Sequence, residues 1–104
     1  MAYSTITPKT SMPADNAAGV ELRGYDSAEV FLKCSAGSGT ACLIQKGPGG
    51  IWHQRGPSWT VDATTAGQQV GRISIPWDAW EYQILITGGP TIDSAYLVGV
   101  NHGR

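Results

Sequence analysis

The feature that most constrains this chain is a two-residue alternation of apolar side chains, broken about every ten residues by Gly or Pro. From Gly19 onward, Val30, Leu32 and Cys34 alternate in AEVFLKCS, and Cys42 and Ile44 alternate in TACLIQK, which runs into the GPGG turn at 47–50. IWHQ (51–54), SWTVD (58–62), QQVGRISI (68–75), EYQILIT (81–87) and SAYLVGV (94–100) follow. Nowhere do apolar residues recur at helical spacing over three turns, and WDAWE at 77–81 suits at most one helical turn. Alternation with period two places one face of each segment in a core, as strands require. Seven or eight short strands at this spacing predict an all-β chain: a two-layer antiparallel β-sandwich, jelly-roll or Ig-like. The expected inward set is Val30, Leu32, Ile44, Ile73, Ile75, Tyr82, Ile84, Ile86, Tyr96 and Val98.

Residues 1–18 differ in kind. They hold Pro8, Pro13 and many small polar residues, too little apolar surface for a core of their own. They read as an extended N-terminal arm, disordered alone or ordered by a neighbour, preceding a sandwich domain at 19–104. The arm has no apolar stretch of the kind a secretory signal needs, and no run in the chain reaches membrane-spanning length. Synthesis in a cytoplasm is expected, with any extracellular existence reached by another route such as a virus particle.

Charge narrows the partners. Seven Lys and Arg are scattered and the net charge is −1, which argues against a clustered basic face for nucleic acid. Charged residues make up 14% of the chain, against about 25% in an ordinary soluble domain. Such a surface suits a protein packed against others.

Catalytic chemistry has little to stand on. A Ser or Cys nucleophile needs a base, and the candidates are His53, in a short strand facing solvent, and His102, near the end of the chain. No acidic pair stands out as a glycosidase couple, and GPGG lacks the Lys-Ser/Thr continuation of a phosphate loop. The expectation is no enzyme, no cofactor and no metal. Cys34 and Cys42 flank SAGSGTA, and a hairpin centred on Ser38 would set them opposite each other, close enough for a cross-strand disulfide; without a secretory signal two small buried free thiols are the expectation, and the disulfide is the alternative. Four tryptophans are many for 104 residues. Trp52, Trp77 and Trp80, with Tyr3 and Ile6 of the arm, are the candidate contacts to protein or glycan. Aromatic residues are enriched at protein interfaces, and a row of them on one face would stack sugars. Against that, Trp52 and Trp59 could simply close the ends of the core.

The stretch Ala28–Val100 resembles small β-sandwich proteins of bacteriophage virions. The resemblance is carried by AEVFLKCSAGSGTACLIQKGPGGIWHQRG, then VGRISIP, WEYQILITGG and SAYLVGV, about three quarters of the chain. Tyr82-Gln83 departs from the Tyr-Arg such strands often carry. Among phage proteins of this kind, the size and arm are most similar to capsid decoration (cement) proteins. That resemblance implies a homo-oligomer on the capsid surface of a virion, bound to the major capsid protein or other virion subunits. A carbohydrate- or receptor-binding module of a fibre or baseplate is the alternative. No nucleic acid or membrane partner is expected.

Overall fold

A computed structural model describes residues 2–64, 66–75 and 81–101. The described residues form eight strands: β1 (Ala2–Thr5), β2 (Val20–Glu21), β3 (Ser27–Ala36), β4 (Ser38–Lys46), β5 (Trp52–Asp62), β6 (Ala66–Ser74), β7 (Glu81–Thr87) and β8 (Thr91–Val100). They make two antiparallel four-stranded sheets, ordered β1-β8-β3-β6 (sheet A) and β2-β7-β4-β5 (sheet B). Antiparallel pairs 1–8, 2–7, 3–6 and 4–5, divided alternately between two sheets, are the jelly-roll arrangement. Of the two sandwich types expected, this is the one formed.

The turns explain the topology. GPGG closes a hairpin within sheet B, with Pro48–Gly50 in a 3-10 turn and Gly49 and Gly50 at φ +76°. By contrast, the single residue Gly37 sends the chain from β3 in sheet A to β4 in sheet B. Cys34 and Cys42 therefore lie in different sheets rather than opposite each other in a hairpin. Both are buried free thiols. IWHQ and SWTVD are one strand, β5, interrupted where Cys42 pairs with Ser58 and Leu43 with Arg55, so that Gly56 and Pro57 bulge out.

The main core joins the inner faces of both sheets. Val30, Leu32 and Leu97 of sheet A meet Leu43, Tyr82 and Ile84 of sheet B, all with no exposed surface, and Ile73, Ile75 and Ile86 belong to the same cluster. Of the expected inward set Tyr96 alone is exposed, while Ile44 and Val98 are buried outside the main cluster. Ile44 is buried, but in a second cluster with Cys42 and Trp52 on the outer face of sheet B. Tyr96 is 37% exposed, and Val98, though nearly buried, lies outside the main core. In β8 the inward residues are Ala95, Leu97 and Gly99. A β-carbon on Gly99 would come within 2.8 Å of the Tyr25 ring and 3.2 Å of Leu22. That end of the sandwich has room only for the smaller side of the strand, so the larger residues point outward.

The arm is not separate from the domain. Its start is β1, paired with β8 from Ala2↔Gly99 to Thr5↔Tyr96. The Lys9 N–H then donates to the Ile84 carbonyl, and the Lys9 carbonyl accepts from Ile86 N–H, both at 2.8 Å. Asn16 N–H reaches the Gly50 carbonyl at 2.8 Å, and Gly19 rests on the Trp52 ring. Residues 2–18 thus form a strap that leaves sheet A, pairs beside β7 at Lys9, reaches the β4–β5 turn at Asn16 and accepts from Gln83 Nε2 at the Ala18 carbonyl. Few apolar residues suffice, because the strap completes a core others supply.

Candidate interaction surface

The two outer faces differ. On sheet B, Cys42, Ile44 and Trp52 form a buried cluster with the half-buried Leu85, which the strap meets where Lys9 pairs with Leu85 and Gly19 lies against the Trp52 ring. Burial raises the Cys42 thiol pKa. Trp52 is only 5% exposed, so it cannot offer a ring face to a sugar. Trp59 is half-buried against the main core, as a core-closing tryptophan would be.

Sheet A has no such cover among the described residues. Antiparallel register lines its outward side chains into cross-strand rows. One row runs Thr5, Tyr96, Phe31, Gln69 across β1, β8, β3 and β6. Its centre is aromatic: Phe31, half-buried, lies directly opposite the exposed Tyr96. The adjacent row runs Val98, Glu29, Arg72 across β8, β3 and β6. Arg72 Nε lies 4.0 Å from Glu29 Oε2, a loose ion pair at the rim. On the other side of the aromatic pair, Lys33 lies opposite Ser94. Beyond it, Ser35 Oγ donates to Asp93 Oδ1 at 3.0 Å. An apolar centre within a charged, hydrogen-bonding rim is the anatomy of a protein interface.

The expected site residues scatter. Tyr3 lies in β1, at the register position opposite Val98. Ile6 packs against the main core and is no free contact. Trp77, Trp80 and His102, like most of the expected turn at 77–81, lie outside the described residues. His53 is exposed, as expected of its strand position. Tyr96 and Phe31, the centre of the open face, are absent from the sequence-derived set. The alternation in SAYLVGV signals a strand but does not say which side faces in, and its bulkier side, Tyr96 and Val98, is the one that side-chain bulk alone points inward. Among the described residues no three His, Cys, Asp or Glu come together as a metal cluster.

Comparison of the chain with protein-family models, with curated proteins and with solved structures found no match.

Proposed function

We propose that the protein is a non-enzymatic structural component of a bacteriophage particle, bound to the outer surface of the capsid, which it stabilises. The observation that carries this reading is the open face of sheet A, with Tyr96 and Phe31 paired inside a rim of Lys33, Glu29 and Arg72. An aromatic centre within a polar rim suits contact with the surface of a shell. The low charge of the chain lowers the desolvation such a contact demands. The jelly-roll arrangement and the resemblance to virion sandwich proteins favour the same setting. Many copies on one lattice turn weak single contacts into effective stapling.

The test is co-sedimentation with shells of the parent particle that lack this protein. Wild-type protein should pellet with the shells and raise their resistance to heat. Tyr96→Ser should weaken binding by roughly tenfold or more, the scale of an interface anchor, with folding unchanged. Full binding by Tyr96→Ser would remove the sheet A face from the proposal.

A second reading, a glycan- or receptor-binding module, also rests on Tyr96, an exposed ring flanked by polar side chains. It predicts glycan-array binding that disappears with Tyr96→Ser and no pelleting with shells.

A further inference from the structure

A sandwich of two open sheets has four edges, and three of them are blunted. β5 carries the Gly56–Pro57 bulge on its edge. β2 is only two residues long, and the strap at Lys9 continues that edge beside β7. β6 is broken by two register shifts against β3 and carries Arg72. These are the devices that keep an edge from pairing with another chain. β1 is short as well, at four residues, but the other devices are missing from it. Ala-Tyr-Ser-Thr holds no charge and no Pro, and its four pairs with β8 run without a shift.

The direction of its free backbone groups follows from one bond. The register that pairs Thr5 with Tyr96 continues to Ile6 opposite Ala95, and Ile6 N–H donates to the Ala95 carbonyl at 3.1 Å. Hydrogen-bonded and non-bonded pairs alternate along an antiparallel ladder. Ser4–Leu97 and Ala2–Gly99 are therefore bonded pairs, and the N–H and C=O groups of Tyr3 and Thr5 point away from β8.

We infer that β1 is a self-association edge and that its occupant is β1 of a second copy of this chain. In antiparallel two-fold pairing with Ser4 on the axis, Tyr3 of each copy stands opposite Thr5 of the other. All four outward groups are then satisfied in each chain by the same groups of the other, with no charge brought near another charge. The two A sheets join into one eight-stranded sheet, and the Tyr96–Phe31 faces extend across the junction on one side. This pairing is independent of the capsid reading and uses a different surface: the edge, not the face. Four backbone bonds and a short contact give a weak dimer, with a dissociation constant on the order of 0.1–1 mM.

Sedimentation equilibrium of the full chain over that concentration range tests the inference. Wild type should show a reversible monomer–dimer equilibrium. Thr5→Pro removes one outward N–H and no bond to β8, so it should stay folded by circular dichroism and sediment as a monomer. Charge variants test the register without proline. Tyr3→Lys with Thr5→Lys should be monomeric, Tyr3→Glu with Thr5→Glu likewise, and an equimolar mixture should recover dimers. A wild type that remains monomeric throughout, or a dimer that survives both Thr5→Pro and the like-charge variants, would overturn the assignment.

Discussion

Glu81 Oε1 accepts the backbone N–H of Gly19 at 2.8 Å, tying the end of the N-terminal strap to the first residue of β7. Its other oxygen pairs with Lys46 Nζ at 2.8 Å, so one carboxylate holds strap, β7 and β4 together. The Lys46 ammonium first, and then the Gly19 N–H, keep the Glu81 pKa below the ordinary glutamate value. A depressed folded pKa contributes stability above the unfolded value, lost as pH falls through the folded one. We expect folding stability to begin falling as pH drops through about 4.3. Glu81→Gln should be less stable than wild type at neutral pH and show a shallower acid limb. Urea denaturation across the acid range checks this, and an unchanged limb would show that Glu81 is not the anchor.

Removing residues 1–18 should destabilise the domain. The deletion uncovers Ile44, Trp52 and Leu85 on sheet B and unpairs β8 on sheet A. Each large apolar side chain fully exposed costs about 1.5–3 kcal/mol. A clear fall in thermal midpoint is expected, and an unchanged midpoint would mean that the strap contributes nothing to the core.

The two thiols should respond differently to that deletion. Native wild-type protein should protect both Cys34 and Cys42, and unfolding should release both without a reducing agent. In the deletion variant, Cys42 should react first, because it lies under the strap while Cys34 stays in the main core. Mass spectrometry of alkylated peptides distinguishes them.

Core and face should separate cleanly by mutation. Ile84 has no exposed surface, and Ile84→Ala should cost roughly 2–5 kcal/mol. Tyr96 is outward, and Tyr96→Ser should change stability by less than about 1 kcal/mol, in line with surface substitutions. Equal losses at both positions in chemical denaturation would reverse the facing of β8.

Gly71 should tolerate no side chain. The Trp59 ring occupies the space its β-carbon would need, which is how a tryptophan closes the gap between β5 and β6. Overpacking of this kind costs typically about 1–3 kcal/mol, so Gly71→Ala should lower the urea midpoint. A neutral substitution would mean that Trp59 moves freely.

The all-β class, five of the eight strands nearly in place and most of the core were legible from alternation and punctuation. Strand formation depends on near neighbours: Tyr82, Ile84 and Ile86 face inward because a pleated strand sends every second side chain to one side. What alternation cannot say is which side is inward where both sides carry apolar residues. β8 was decided by the space left beside Tyr25, which belongs to another part of the chain. Ile44 is inside, as alternation predicts, but in a second cluster with Cys42 and Trp52, because β4 carries buried residues on both faces. The strap itself left no local signal. Ala2–Thr5 and Lys9 gain their structure from backbone bonds to β8 and β7, and backbone groups are the same in every residue. The sequence by itself determined a sandwich. Only the tertiary structure decided which aromatic residues were left on its open face, because exposure depends on what the rest of the chain covers.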